Sequence, residues 1–65
     1  MNTSTVFSIQ FDGHRYQVRE LRYSSTFVVY DILQDRRVIK RSRFFTKRSA
    51  ILELLQIVRL LIIQS

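Results

Sequence analysis

The sequence predicts an α+β fold, a four-stranded antiparallel meander in the order β-β-β-β-α that packs against one C-terminal helix. Two pairs of strand-like runs occupy the chain up to Phe45, and a short turn signal separates the members of each pair. The segment after Thr46 is rich in leucine and isoleucine and contains neither glycine nor proline, which favours a helix. A chain of 65 residues is short enough that residues 1–65 are expected to form a single small domain.

The dipeptide Asp12-Gly13 lies between two alternating runs and predicts the first hairpin. Both residues readily adopt the positive φ angles that a type I′ turn requires. A two-residue turn then separates an apolar face of the strand pair from a polar one. The pairs predicted on the apolar face are Phe11 with His14, Ile9 with Tyr16 and Phe7 with Val18. The pairs predicted on the polar face are Gln10 with Arg15, Ser8 with Gln17 and Val6 with Arg19.

The segments "TFVVYDIL" and "VIKRSRFF" predict the third and fourth strands, with "QDRR" as the turn between them. Apolar side chains occur on both faces of the third strand, as in a central strand, so the pattern leaves open which face meets the helix. The simplest register includes one cross-strand pair of opposite charge, which stabilises an antiparallel pair. The predicted pairs are Leu33 with Val38, Ile32 with Ile39, Asp31 with Lys40 and Phe27 with Phe44.

The start of the helix is predicted by local signals. Thr46 is a favourable N-cap residue, so the helix is expected to begin at Lys47. Phe45 and Ala50 occupy the two positions of a hydrophobic staple, which fixes the angle at which the chain enters the helix. Together these signals predict a helix that continues to the end of the apolar segment.

The helix has more apolar surface than one sheet can cover. Its polar side consists of Arg48, Ser49, Glu53, Gln56 and Arg59. Leu52, Leu60 and Ile63 fall within that same stripe. A helix that is apolar almost all round is expected to be buried on more than one side. The three residues therefore predict an interface with a second copy of the chain or with a partner protein.

The composition argues against catalysis and against a metal or organic cofactor. There is no cysteine, and any serine or threonine nucleophile would depend on His14, the single histidine, which adjoins a turn. The five carboxylates are scattered without a spacing that brings two together, and the solitary glycine excludes a glycine-rich phosphate loop. Zinc sites need ligands at characteristic spacings, which the chain does not offer. We therefore expect a protein that is not an enzyme and has no cofactor.

The positive charge is concentrated in "DRRVIKRSRFFTKR", residues 35–48. This run holds seven of the eleven Lys and Arg residues and one of the five acids, a balance of +6 that equals the net charge of the chain. Such a cluster is the electrostatic pattern of a nucleic-acid-binding protein. The predicted contacts are Arg36, Arg37, Lys40, Arg41, Arg43, Lys47 and Arg48. Alternation along the strand places Arg37, Arg41 and Arg43 on one face. The alternative interpretation is a charged edge strand that prevents aggregation.

The segment "FFTKRSA", preceded by "VVYDILQDRRVIKRSR", resembles the small arm-type DNA-binding domain at the N-terminus of many phage integrases. In that family a strand rich in Lys and Arg is followed by a Phe-x-Thr-Lys-x-x-Ala helix start, and the sheet enters the major groove. Ser49 stands where the family usually has an acidic residue. The resemblance implies groove or phosphate contacts at Lys40, Arg41 and Arg43, a core anchor at Phe44, a helix cap at Thr46 and a small packing residue at Ala50.

Three functions remain open at the level of sequence. The first is a small nucleic-acid-binding module, with DNA favoured. The second is a homo-oligomeric or partner-binding protein that acts through its apolar helix. The third is peripheral attachment to a membrane by "AILELLQIVRLLII", which is too short and too polar to span a bilayer. The absence of cysteine and of an N-terminal secretory signal favours a cytoplasmic location.

Overall fold

The alternating part of the chain forms one antiparallel sheet, and the leucine-rich segment forms a helix across it. The computed structural model describes residues 2–42 and 46–64. Its elements are β1 (Asn2–Phe11), β2 (His14–Arg22), β3 (Val28–Gln34), β4 (Arg37–Ser42) and α1 (Lys47–Gln64). The strands are paired in the order β1-β2-β3-β4, which confirms the predicted meander and its C-terminal helix.

The first hairpin has the predicted turn and, for most of its length, the predicted register. Asp12 and Gly13 have φ angles of 52° and 79°, as a type I′ turn requires. The predicted pairs from Phe11 with His14 back to Phe7 with Val18 are all observed. The pair of Val6 with Arg19 was wrong, because a β-bulge at Val6 makes Thr5 the partner of Arg19. The extra residue lets Val6 pack against the core instead of lying on the polar face.

The second hairpin also contains a bulge, and it changes the predicted pairs. Leu33 pairs with Val38 as predicted, but Ile32 pairs with Lys40 and Asp31 pairs with Arg41. The predicted pairs of Ile32 with Ile39 and of Asp31 with Lys40 were therefore wrong. One additional residue of β4 is inserted between the two parts of the ladder, and it shifts every later residue by one position. The predicted pair of Phe27 with Phe44 lies outside the described residues.

The two faces of β3 are both buried, and each is covered by a different part of the molecule. On the side that faces α1, Ile32 belongs to a cluster with Tyr16, Val18, Ala50, Leu54 and Val58. Ladder partners share a face of the sheet, so alternation places Val29, Asp31 and Leu33 on the opposite side, and all three are buried. We call this second side the helix-free face. β3 is thus a central strand with both faces covered, as its sequence suggested.

The helix begins as predicted, and its outer surface remains exposed. The Ser49 backbone N–H donates to the Thr46 side-chain oxygen at 3.2 Å, which confirms Thr46 as the N-cap. The predicted staple involves Phe45 and lies outside the described residues. Ala50 is buried, while Leu52 and Ile63 on the outer surface are 55% and 67% exposed. No helix in residues 2–42 and 46–64 is long and apolar enough to cross a membrane.

Candidate nucleic-acid interface

The centre of the helix-free face is a buried carboxylate held by two arginines. Asp31 is completely buried, and its ladder partners on the two flanking strands are Arg19 and Arg41. Arg41 donates from Nε and Nη2 to the two carboxylate oxygens at 2.8 and 3.0 Å. Arg19 donates from Nη2 at 3.2 Å. Two cations thus share one anion, which leaves this cluster with a net charge of +1.

The electrostatics of the cluster follow from these contacts. The two hydrogen bonds from Arg41, aided by the one from Arg19, hold the pKa of Asp31 below its ordinary value of 3.8 although burial acts in the opposite direction. The same interaction raises the pKa of Arg41 above its usual range. Both arginines keep their charge in contact with water, since their side chains are 32% and 57% exposed. The cluster therefore fixes two guanidinium groups at the surface of the sheet.

Further positive charge lies toward the β3–β4 turn on the same face. Arg15 has the same strand parity as Arg19, and it lines an open cavity of about 330 Å³ together with Gln17, Asp35 and Arg36. Asp35 accepts hydrogen bonds from the backbone N–H of Arg15 at 3.0 Å and from the ring of His14. These bonds lower the pKa of Asp35. Among the described residues, neither Arg15 nor Arg36 has a carboxylate within ion-pair distance.

An aromatic cleft lies at the opposite end of this face. Tyr23, Phe27, Val29 and Arg41 line an open cavity of about 410 Å³. The rings of Tyr23 and Phe27 are nearly perpendicular, with centroids 5.2 Å apart. The loop between them is held by the Tyr23 N–H, which donates to the Phe27 carbonyl at 2.9 Å, and by the Ser24 side chain, which accepts the Phe27 N–H at 3.0 Å. Among the described residues, the cleft is thus bordered by an exposed aromatic pair and one guanidinium group.

The bulge in β4 divides the basic residues of the run at 35–48 between the two faces. Arg37 pairs with Gln34, whose side chain donates to the Tyr16 hydroxyl on the helix side, whereas Arg41 pairs with Asp31. The prediction that Arg37 and Arg41 share a face was wrong, because the inserted residue reverses the alternation between them.

Four of the remaining predicted contacts have a described place. Lys40 forms an ion pair with Glu53 and links the sheet edge to the helix. Arg36, Lys47 and Arg48 are exposed, and none has an ion-pair partner among the described residues. Arg43 lies outside the described residues. Among the six described residues of this set, Arg36 and Arg41 are the two that border the helix-free face.

Sequence reasoning missed Arg15, Arg19, Tyr23 and Phe27. The alternation of Arg15, Gln17 and Arg19 on the polar side of the first hairpin was visible, and it was the available signal. Residues 1–34 carry three basic and three acidic side chains, so their net charge of zero does not show that the fold places two of these arginines beside β3 and β4. Nothing in the local sequence showed that the "RYSS" connection would bring an aromatic pair against Arg41.

The outer helix surface is a second candidate site. Leu52, Leu60 and Ile63, the residues predicted to contact a partner, are all exposed on α1. Leu55 and Ile62 are exposed beside them at 39% and 53%. Clusters of exposed apolar residues of this kind mark interaction surfaces more often than isolated ones do.

Comparison with known proteins identifies no relative of this chain, so neither surface can be compared with a known site. No protein-family model, no curated protein and no solved structure matches this chain. Within residues 2–42 and 46–64, no group of three or more His, Cys, Asp or Glu side chains is placed to hold a metal ion.

Proposed function

We propose that the protein is a small non-catalytic module that binds nucleic acid through the helix-free face of its sheet. The observation that carries this proposal is the arrangement of Arg15, Arg19 and Arg41 on neighbouring strands of that face. Among the described strand residues on this side, Asp31 is the one carboxylate, and it is buried beneath two of the arginines. The exposed surface is therefore positive although its centre contains an acid.

The chemistry of this face suits a phosphate backbone. Arginine guanidinium groups form bidentate, charge-assisted bonds to phosphate oxygens, and they are more effective when their orientation is fixed in advance. Asp31 fixes Arg41 through two bonds and Arg19 through one. Arg15 and Arg36 add two charges at the turn end, beside the carboxylate of Asp35, and neither guanidinium group forms an ion pair with a described residue. DNA is favoured over RNA by the resemblance of residues 27–50 to the arm-type domain, in which the sheet contacts DNA.

A salt-dependent titration with a matched pair of variants tests the proposal. Wild type, Arg15→Gln and Arg59→Gln would be titrated against short DNA and RNA at several salt concentrations. Arg59 is exposed on the outer surface of α1, so both variants lose one positive charge from opposite sides of the molecule. We expect Arg15→Gln to weaken binding and to reduce the salt slope by about 0.7 to 0.9, the loss of one phosphate contact.

The control variant decides which face is used. Arg59→Gln is expected to leave the slope unchanged, because its charge lies far from the helix-free face. An equal loss of affinity in both variants would mean that binding depends on net charge alone. The helix-free face would then be excluded as the binding site. Absence of binding by the wild type at low salt would refute the proposed function.

A second function is favoured by the five exposed apolar residues of α1. Binding of a second copy or of a partner protein through this surface would cover Leu52 and Leu60, which the sheet leaves in water. Leu60→Lys would then convert an assembled protein into a smaller species in light scattering while its circular dichroism stays unchanged. A wild type that is already monomeric at high concentration would exclude self-association.

A further inference from the structure

We propose that the aromatic cleft binds one unstacked base of a single-stranded nucleic acid, whose backbone runs from the cleft along β2 toward Arg15. This inference rests on the proposed function and adds the type of strand and the part of the nucleotide that is bound. The ligand chemistry is an aromatic base attached to phosphate, which single-stranded DNA and unpaired RNA both supply.

The size and lining of the cleft fit a flat aromatic group. Its volume of about 410 Å³ lies within the range of about 300–1,000 Å³ that is typical of small-molecule sites. Tyr23 and Phe27 are 51% and 44% exposed, so their rings contribute apolar surface that solvent reaches. The two rings are nearly perpendicular, and the 51% exposure of Tyr23 leaves surface of that ring for stacking.

The cleft is held in shape before any ligand binds. The backbone N–H of Tyr23 donates to the Phe27 carbonyl, and the Ser24 hydroxyl oxygen accepts the N–H groups of Thr26 and Phe27. Arg41 is fixed on the other side by its two bonds to Asp31. A binding surface that is already ordered loses less conformational entropy on binding, which favours affinity.

Positive charge continues from the cleft across β3 and then along β2. Arg41 borders the cleft, Arg19 lies beside it on the other flank of Asp31, and Arg15 follows four residues earlier on β2. At about 3.3 Å per strand residue, the distance from Tyr23 back to Arg15 is about 26 Å. This is a track for the phosphates of several nucleotides, with an aromatic platform at one end. Sheets that bind single strands combine the same two elements.

The cleft distinguishes single strands from duplexes by geometry. In a duplex each base is stacked between its neighbours and hydrogen-bonded to its partner, so it reaches a protein pocket only after unstacking. A flexible single strand presents its bases without that cost. We therefore expect the wild type to prefer a single strand over a duplex of the same length and charge density.

Three probes of about 12 nucleotides, within the site sizes of sheet-based single-strand binders, test the inference. They are oligothymidylate, an abasic strand with the same sugar and phosphate backbone, and a duplex. The variants are Tyr23→Ala and Tyr23→Phe, with Arg15→Gln for comparison. Thermal unfolding checks that each variant is folded, and Tyr23→Phe retains the ring if the alanine variant is unstable.

The expected pattern separates base from backbone contacts. Tyr23→Ala should weaken oligothymidylate binding about tenfold, leave the abasic strand unaffected and keep the salt slope, because stacking on one aromatic ring is lost. Tyr23→Phe should bind as the wild type does. Arg15→Gln should weaken binding to all three probes and reduce the slope.

Other outcomes would overturn the inference in distinguishable ways. Equal affinity of Tyr23→Ala and wild type for oligothymidylate would refute the base site while the proposed function stands. Preference of the wild type for the duplex would do the same and would point to groove binding. If no probe binds at low salt, both the base site and the proposed function fail.

Discussion

The two faces of the sheet are shielded from water by different interactions. On the helix side, Leu54 and Val58 of α1 are buried against Val18 and Ile32 by ordinary apolar packing. On the helix-free face no helix of the described residues covers β3, and Asp31 is buried there beneath the side chains of its neighbouring strands. One face thus provides the hydrophobic core of the domain, and the other presents charge to solvent while it still excludes water from its centre.

This difference separates the part of the sheet that supplies most of the stability from the part that holds charged groups at the surface. Apolar packing lowers the free energy of the folded state. A buried ion cluster contributes little net stability, because desolvation of the ions offsets their attraction. A leucine at position 31 would bury the same centre, but it would leave Arg19 and Arg41 without a counter-charge. What the aspartate adds is a fixed orientation for Arg19 and Arg41 at the surface.

The largest effect is expected on the helix side. Leu54 is completely buried in the cluster between sheet and helix. Leu54→Ala should lower the free energy of unfolding by about 4 kcal/mol, because it loses apolar burial and leaves a cavity. In so small a domain this is comparable to the whole stability of the fold. Urea unfolding measures it, with Leu52→Ala on the exposed surface as the control that should change stability little.

Removal of the charge at the centre of the helix-free face should have the next largest effect. Asp31→Asn keeps the shape of the side chain but leaves Arg19 and Arg41 without a counter-charge. We expect a loss of about 3 kcal/mol, the low end for a broken buried ion pair, because both arginines remain partly in water. Urea unfolding compares it with Asp31→Leu. A leucine variant that is more stable than the asparagine variant would support a role in orientation; equal losses would contradict it.

The stability of the helix-free face should also depend on pH. The folded-state pKa of Asp31 lies below its ordinary value of 3.8 because Arg41 and Arg19 favour the carboxylate. Its contribution is therefore fully present above about pH 4 and is lost as the pH falls through the lower folded-state pKa. Thermal unfolding of wild type and Asp31→Asn between neutral and acidic pH should show a shallower decline in the variant. If the melting temperatures of the two proteins fell in parallel with pH, this pH dependence could not be assigned to Asp31.

The smallest effect is expected at the turn that borders the helix-free face. Arg36 has a φ of 73°, close to the 79° of Gly13 in the first hairpin, but arginine has a side chain that disfavours this region. Arg36→Gly should therefore raise the free energy of unfolding by about 0.5–1 kcal/mol while it removes one charge from the proposed interface. More stability with weaker nucleic-acid binding would show that this arginine is retained for binding.

The reverse substitution in the first hairpin is the matched control. An added Cβ at Gly13 would meet no atom within 4 Å, so only backbone strain opposes Gly13→Arg. This variant should lower stability by about 1 kcal/mol. The added charge would lie beside the proposed interface, because His14 and Arg15 both bond to Asp35 in the β3–β4 turn, so nucleic-acid binding should not weaken. Urea unfolding measures the backbone effect, and a Gly13→Arg variant as stable as the wild type would contradict the strain inferred for Arg36.

Local chemistry made most of the fold predictable. The Asp12-Gly13 turn, the alternation in β1 and β2, and the Thr46 cap each depend on residues that are close in sequence, so the sequence determined them by itself. The excess of apolar residues on α1 was equally visible. For the candidate site, the sequence indicated a basic cluster and two of the arginines that border the helix-free face, Arg36 and Arg41.

The tertiary structure decided the rest, and the two bulges show why. Inserting one extra residue into a strand changes the local free energy little. The position of the bulge therefore depends on contacts between strands and with the helix. In β1 it moves Val6 onto the core, and in β4 it brings Arg41 opposite Asp31 and Lys40 near Glu53. These contacts join residues that are far apart in the chain, so no window of sequence contains them. The faces on which the arginines lie were therefore settled only when the sheet and the helix packed together.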